Sequence, residues 1–325
     1  MKRILLLGVG PQALSALESL GDRFLVVGVV RGAEADDKVA SQADSLNVPM
    51  LSDVSPQGIK QAIVETRPDC VVSSSYDRIL SKDILNQCRF VNVHYAPLPR
   101  YRGRTFINWA IINGETEFAL TVHVMSPEVD AGNILCQRTI TIGPHDTAWQ
   151  VLSALNEIQR EVLGDTVLQY LNGYQGVPQD ESATSYACAR VPADGEIDWS
   201  KPTDRIYALV RALSPPWPGA HTYLDMRRIT VVRAIPVCDA PSYVGRVPGR
   251  VVGRSRTDGH ADVLTSDGVL RIYEVTVDEG PVVAASTVIT STRQTLGLRT
   301  ADLLARVADL ENRLAAVQRD DGRRD

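Results

Sequence analysis

The chain has 325 residues, of which 44% are hydrophobic and 22% charged, a composition typical of a globular protein and inconsistent with extended disorder. Its formal charge is −5, from 34 basic and 39 acidic residues, which is a poor match to a polyanion such as a nucleic acid. The five cysteines are scattered without C-x-x-C spacing, so they predict neither a disulfide framework nor a zinc site or other metal site, and they suit a cytoplasmic protein.

The first half of the chain alternates strand patterns with helix patterns. Apolar, β-branched runs predict strands at residues 4–7, 24–30, 70–73, 90–94 and 118–125, and helix patterns lie at residues 11–20, 54–66 and 148–172. This alternation predicts an α/β domain over residues 1–178, with a Rossmann-like, doubly wound and mostly parallel sheet. The N-terminal apolar run stops at Gly10 and Pro11, so we interpret it as a first strand and expect no export signal and no membrane span.

The glycines after the first predicted strand imitate a dinucleotide-binding fingerprint. They read Gly8-Val9-Gly10, with Ala13 in the place of the third glycine. A nucleotide site of that kind needs an acidic residue after the second strand to bind a ribose, but Arg31 follows that strand here. The pattern therefore favours a tight turn between strand and helix over a nicotinamide site.

Three polar residues in the middle of the chain suit acyl transfer to an amine. Asn92 and His94 lie two residues apart at the end of one predicted strand, so their side chains share a face, and Asp130 follows the strand at 118–125. If these strands are neighbours, we expect the three side chains to meet at the C-terminal ends of the strands. An amide can donate to a developing oxyanion, an imidazole can accept the amine proton, and a carboxylate can orient the imidazole. His123 lies inside the second strand pattern and is interpreted as structural.

The segments around these residues resemble the formyltransferases that use 10-formyltetrahydrofolate. The matching segments, all between residues 68 and 140, are N-V-H, L-P-R-Y-R-G, W-A-I-I-N-G-E-T-E, T-V-H-V-M and D-A-G-N-I-L. The resemblance is nearest to members that formylate the amine of a sugar nucleotide, with methionyl-tRNA formyltransferase next. It implies that 10-formyltetrahydrofolate is the formyl donor and that the catalytic positions are Asn92, His94 and Asp130. The positions implied for binding the donor are Arg78, Ile79, Leu80 and Asp130.

The loop after the histidine is the predicted substrate-binding segment. We interpret Tyr95, Arg102 and Gly103 as substrate contacts, since Gly103 allows close backbone approach and Arg102 can face an anionic substrate or the folate tail. The family usually has a small residue and then a serine after the histidine, whereas this chain has Tyr95 and Ala96. Any role of that serine hydroxyl is therefore absent here.

The second half of the chain predicts a smaller β domain. A linker is expected at residues 179–200, and short β-like runs with one helix predict a small barrel over residues 201–290. The segments A-D-G-E-I-D-W and P-P-W-P-G-A resemble the OB-like C-terminal domain of the same family.

An amphipathic C-terminal helix is predicted over residues 296–320. Apolar residues follow one another at alternating spacings of four and three, which is a heptad seam, and they are Leu303, Val307, Leu310, Leu314 and Val317. The seam is too short to hold two chains together alone. Two interpretations stay open, namely a helix packed on its own barrel and a contribution to a homodimer.

Together these features predict a cytoplasmic N-formyltransferase acting on a primary amine of a small molecule, without nucleic-acid or membrane partners. A nucleotide-linked amino sugar is the first candidate acceptor, a hydroxyornithine-type amine of siderophore biosynthesis the second, and methionyl-tRNA the third. Acidic residues such as Glu34, Asp36 and Asp37 stand where tRNA-acting relatives carry a basic insertion, which disfavours the third. Two alternatives outside enzymes are a nucleic-acid-binding protein that uses its barrel and a folate-binding scaffold without turnover.

Overall fold

The structure is a computed structural model that describes residues 1–32, 37–104, 106–298 and 300–321, so Glu34 and Asp36 lie outside the described residues. The chain divides into two compact units, Met1–Arg190 and Val191–Asp325. This division falls inside the predicted linker at residues 179–200. Among the described helices, none combines the length and the apolar character needed to cross a membrane.

Unit 1 is an α/β domain, as predicted. Its strands are β1 (Arg3–Gly8), β2 (Leu25–Val30), β3 (Met50–Leu51), β4 (Cys70–Ser74), β5 (Arg89–His94), β6 (Arg102–Gly103), β7 (Glu117–Val124), β8 (Ile134–Thr141) and β9 (Tyr186–Ala187). Its helices are α1 (Gly10–Gly21), α2 (Asp37–Ser45), α3 (Pro56–Thr66), α4 (Lys82–Leu85), α5 (Phe106–Asn113) and α6 (Ala148–Leu171). The main sheet has the order β3-β2-β1-β4-β5-β7-β8, and β6 pairs with β9 in a separate ribbon.

The direction of the strands changes within the main sheet. The five neighbouring strands β3, β2, β1, β4 and β5 are parallel, whereas β7 is antiparallel to β5 and β8 is antiparallel to β7. Leu5, Leu6 and Leu7 of β1 are fully buried because the central parallel strands are covered on both faces. Each such side chain stabilises the fold by about 1.5–3 kcal/mol.

Helix α6 packs against α1 and against strands β7 and β8 of the sheet. A capping box starts α6, in which the Thr147 hydroxyl accepts the Gln150 N–H while the Gln150 side chain accepts the Thr147 N–H. The two helices approach closely at Gly164, where a β-carbon would lie 2.8 Å from the backbone oxygen of Ser19. The Ser19 hydroxyl accepts the Gly164 N–H at 3.1 Å, so the contact is a hydrogen-bonded one.

Unit 2 is the predicted second β domain, built on an antiparallel sheet. Helix α7 (Thr203–Ala212) precedes the strands β10 (Ala220–Leu224), β11 (Arg227–Pro236), β12 (Val251–Arg254), β13 (Ala261–Leu264), β14 (Val269–Val277) and β15 (Val283–Ala284). The sheet has the order β10-β11-β14-β13-β12, and β15 pairs with β14. Two helices follow, α8 (Ala285–Val288) and α9 (Thr300–Asp321).

Candidate active site

The structure brings Asn92, His94 and Asp130 together, but by a route that differs from the expected one. Because β5 and β7 are antiparallel, their C-terminal ends point to opposite ends of the sheet. The expectation that the three side chains meet at the C-terminal ends of both strands was therefore wrong. The chain instead turns back after β7, and Asp130 sits in that loop with a φ of 54°. This left-handed conformation is one that aspartate tolerates better than most residues.

Both ring nitrogens of His94 are engaged, and this defines the tautomer of the ring. Nε2 lies 2.8 Å from the backbone carbonyl of Tyr101, which can only accept a hydrogen bond, so Nε2 carries a proton. Nδ1 faces Asp130 Oδ2 at 3.6 Å. The side chain is buried, and burial lowers the pKa of His94, although the Asp130 carboxylate and the Tyr101 carbonyl partly offset the effect. His94 is therefore neutral at pH 7, with Nδ1 as the nitrogen that can accept a proton.

Asn92 lies between Asp130 and His123, the histidine that was interpreted as structural. Asn92 and His123 are directly paired across β5 and β7. His123 Nδ1 contacts the carbonyl of Val124 at 2.9 Å, so Nε2 is the acceptor for the Asn92 amide, 3.1 Å away. The second Asn92 N–H is directed at Asp130 Oδ1 across a longer distance of 3.4 Å. His123 thus holds the orientation of the Asn92 amide, and the second N–H of that amide makes only the longer contact with Asp130.

His123 is the part of the cluster that the sequence interpretation missed. A signal was present, because a histidine inside the apolar run F-A-L-T-V-H-V-M is a polar residue in a buried strand, and His123 is only 2% exposed. The position opposite Asn92 becomes apparent only once the antiparallel register is known.

Asp130 is held as a carboxylate. Burial by itself would raise the pKa of Asp130, but the polar groups around it, including the backbone N–H of Gly103, outweigh burial and hold the pKa well below its usual range. Gly103 donates that hydrogen bond to Oδ2 at 2.9 Å. Gln179 secures the loop by donating to the backbone oxygen of Asp130 at 2.7 Å. The anion therefore has a fixed position between the two imidazoles.

Gly103 and Arg102 occupy β6, where the structure gives them supporting contacts. Gly103 has a φ of 106°, and a β-carbon there would lie 2.8 Å from the backbone oxygen of Ala187, so the position requires glycine. Arg102 is buried and pairs with Glu181 at 2.7 Å and with Gln179 at 2.8 Å. Its guanidinium is thus turned towards its own chain, contrary to the expectation that it faces an anionic substrate.

Tyr95 follows β5 and points away from the polar cluster, because successive side chains of a strand alternate between faces. Only 2% of it is exposed, and its hydroxyl is 2.7 Å from Asn156 Oδ1 and 2.8 Å from Gln159 Oε1, both on α6. Burial raises the pKa of the Tyr95 hydroxyl well above its usual range. This placement makes Tyr95 an anchor between β5 and α6 and not the substrate contact that was expected.

The expected donor-binding segment follows β4 at the same edge of the sheet as Asn92. Ser73 of β4 pairs with Asn92, and the chain then leaves the sheet through residues 75–81. Leu80 is buried in the core, while Ile79 is 82% exposed and Arg78 is exposed. The guanidinium of Arg104 donates to the backbone oxygen of Asp77 at 3.0 Å, which ties this segment to the loop after β6.

The geometry supports a reaction in which an amide N–H, a neutral imidazole and a fixed carboxylate act on one carbon centre. The amide can stabilise a negative oxygen, and Nδ1 of His94 can accept a proton. The Asp130 carboxylate then stabilises the positive charge on the imidazole. Such an arrangement suits direct acyl transfer to an amine, since it needs no serine or cysteine nucleophile.

Structural comparison finds the same architecture in several solved proteins. HypX from Aquifex aeolicus, crystallised with tetrahydrofolic acid, is 20% identical with a TM-score of 0.66, and the match covers 89% of this chain but 47% of HypX. This chain thus spans about half the length of HypX. An N-formyltransferase from Helicobacter canadensis, solved with folinic acid and dTDP-3-aminofucose, is 17% identical with a TM-score of 0.64 and coverages of 85% and 100%. A sugar N-formyltransferase from a Shewanella species is 21% identical with a TM-score of 0.56 and coverages of 68% and 92%.

Family models match both units of the chain. The model described as formyl transferase matches residues 29–167, and the model described as the formyl transferase C-terminal domain matches residues 191–293. The two matches lie in the expected order and together span most of the chain, and the fold they imply is the one observed. The family predicted from the sequence motifs is thereby confirmed, and the chain belongs to the formyl transferase family.

Proposed function

We propose that this chain is an N-formyltransferase that moves a formyl group from 10-formyltetrahydrofolate to a primary amine of a nucleotide-linked amino sugar. The observation that carries the proposal is the convergence of Asn92, His94 and Asp130, with the Asp130 carboxylate 3.6 Å from His94 and 3.4 Å from Asn92. These residues come from separate parts of the chain, and each supplies one of the groups that amine acylation requires.

Each residue of the cluster has a distinct role. The Asn92 amide donates its weakly held proton to the oxygen that becomes negative, a contribution of about 2.7–4 kcal/mol where such donors have been removed in other enzymes. His94 accepts the amine proton at Nδ1, because its Nε2 proton is held by the Tyr101 carbonyl. Asp130 stabilises the imidazolium that results.

The donor is proposed to bind along residues 78–80, beside the polar cluster. The formyl donor supplies a formyl carbon activated for attack by an amine. The exposed Ile79 side chain can make an apolar contact with a planar ring, and backbone groups of the segment can hydrogen-bond to the polar groups of that ring. Asp130 is proposed to serve both donor binding and proton balance.

An amino sugar carried by a nucleotide is the proposed acceptor. The chain matches the full length of a Helicobacter canadensis N-formyltransferase that was solved with dTDP-3-aminofucose. Its net charge of −5 disfavours a large polyanion such as tRNA. Since Tyr95 and Arg102 are committed to internal contacts, the acceptor is expected to meet other side chains around the loops that follow β5 and β7.

The test is release of tetrahydrofolate from 10-formyltetrahydrofolate in the presence of candidate amines. The panel contains amino-sugar nucleotides, hydroxyornithine and methionyl-tRNA, and only the first group should support turnover. A tRNA enzyme would instead lose substrate affinity steeply as salt rises. Folate binding without turnover on any amine, or retention of single-stranded nucleic acid at physiological salt, would overturn the proposal in favour of a binding protein.

Two substitutions connect turnover to the cluster. Asn92→Ala and His94→Ala should each lower kcat by about a hundredfold or more without unfolding the protein. His145→Ala, which changes an exposed histidine elsewhere in unit 1, is the matched control and should retain the wild-type rate. A wild-type rate in the His94 variant would refute its role as the proton acceptor.

A further inference from the structure

Helix α9 carries an apolar stripe that remains exposed in the described part of the chain. Leu303, Val307, Leu310 and Leu314 are 38%, 51%, 47% and 60% exposed, and every other side chain described on this helix is exposed as well. Packing on the β domain of unit 2, one of the two interpretations of the heptad seam, therefore does not cover these side chains. Val317, the last residue of the seam, lies outside the residues whose side chains are described.

The spacing of the stripe defines a coiled-coil register. The intervals of four, three and four residues place Leu303 and Leu310 at d positions and Val307 and Leu314 at a positions, and Val317 continues the series as a third d residue. Val307 at a and Leu310 at d follow the pairing that favours two-stranded, parallel association, whereas the second heptad has Leu314 at a and Val317 at d. Leu304, at the adjoining e position, is 64% exposed and widens the apolar surface.

The charges beside the stripe distinguish the two possible orientations of a pair. Arg306 and Arg313 occupy g positions and Glu311 occupies an e position. In a parallel pair the g residue faces the e residue five positions further along the other helix, so Arg306 meets Glu311 on both sides. In an antiparallel pair g residues face each other, which sets Arg306 against Arg313. The parallel arrangement gains two attractive pairs, and the antiparallel arrangement gains repulsion.

We propose that α9 pairs with α9 of a second copy of this chain in a parallel, two-stranded coiled coil. The described helix has 22 residues and extends about 33 Å, and the seam from Leu303 to Val317 covers little more than two heptads of it. An interface of this size lies in the range of weak complexes, so the dimer should dissociate on dilution. This association is separate from the proposed formyl transfer, and neither depends on the other.

The primary experiment is sedimentation equilibrium of the full chain over a wide concentration range. Reductant is included, because Cys188 and Cys238 are exposed thiols that would otherwise form disulfides between copies. The wild type should show a reversible equilibrium between monomer and dimer. Leu310→Glu, at the seam, should abolish the dimer, whereas Asn312→Glu, at an f position on the opposite side, adds the same charge and should leave the dimer intact. A wild type that stays monomeric, or equal effects of the two variants, would overturn the proposal.

Charge substitutions test the orientation. Arg306→Glu and Glu311→Arg should each weaken dimerisation by about tenfold or more, and the double variant should restore it. An antiparallel pair predicts the reverse for Arg306→Glu, since that substitution would remove a repulsion and tighten the dimer. Arg306 also pairs with Asp309 within the helix at 2.8 Å, so Asp309→Asn controls for loss of that contact, and circular dichroism confirms that each variant keeps its helix.

Discussion

Asp130→Asn is the substitution that most directly tests the proposed proton chemistry. It keeps the shape of the side chain and an acceptor oxygen for the Gly103 N–H while removing the charge 3.6 Å from His94. An opposite charge at this range shifts a pKa by about 1–3 units, so the pKa of His94, already lowered by burial, should fall further by that amount. The imidazolium formed on proton acceptance loses the corresponding stabilisation, about 1.4–4 kcal/mol, which is roughly a ten- to thousandfold loss of rate.

The assay is kcat/KM as a function of pH. His94 must be neutral to accept a proton, and burial places its pKa below 6.5, so wild-type activity should be constant above that pH and fall as the pH drops through the lowered pKa. In Asp130→Asn the acid limb should move to lower pH while the maximal rate falls. Glu128→Gln removes a charge from an exposed position in the same loop and should change neither quantity. A full wild-type rate in Asp130→Asn, or an acid limb displaced to higher pH, would refute the reasoning.

Three further substitutions test the supporting contacts. His123→Leu should lower kcat by about tenfold with little change in KM, because the Asn92 amide loses the acceptor that holds its orientation, and an unchanged kcat would exclude that role. Tyr95→Phe should lower the free energy of unfolding in urea by about 1–3 kcal/mol, since a buried acceptor on α6 loses its donor, while a raised KM at unchanged stability would restore Tyr95 as a substrate contact. Gly103→Ala should lower both thermal stability and kcat, because its β-carbon would meet Ala187 at 2.8 Å and displace the N–H that holds Asp130; wild-type values of both would contradict this.

The longer elements of the fold were predictable from local pattern. The buried run of β4 and the capped, 24-residue helix α6 lie within a residue or so of their predicted bounds, since burial and capping leave a continuous signal in the sequence. Half of the residues of the missed strand β8 are exposed and only one is buried, so its apolar pattern is weak. Strands β3, β6 and β9 have only two residues each, too few for any periodicity to register.

The candidate site was predictable in its residues but not in its geometry. Asn92 and His94 share a face because a strand alternates, and that fact is local. The position of Asp130, the inclusion of His123 and the internal pairing of Arg102 all depend on contacts between distant parts of the chain. Glu181, for example, is 79 residues from the arginine that it binds.

What the sequence by itself determined is the set of chemical groups, the alternation of strands and helices, and the heptad spacing of the C-terminal helix, because each is carried by neighbouring residues. Only the tertiary structure decided that β7 runs antiparallel to β5, that Nδ1 of His94 faces the carboxylate, and that the apolar stripe of α9 remains exposed in the described part of the chain. Local periodicity records which face of an element is apolar, but it records neither the direction of the adjacent strand nor the partner of a buried charge. Those depend on how the whole chain closes around its core.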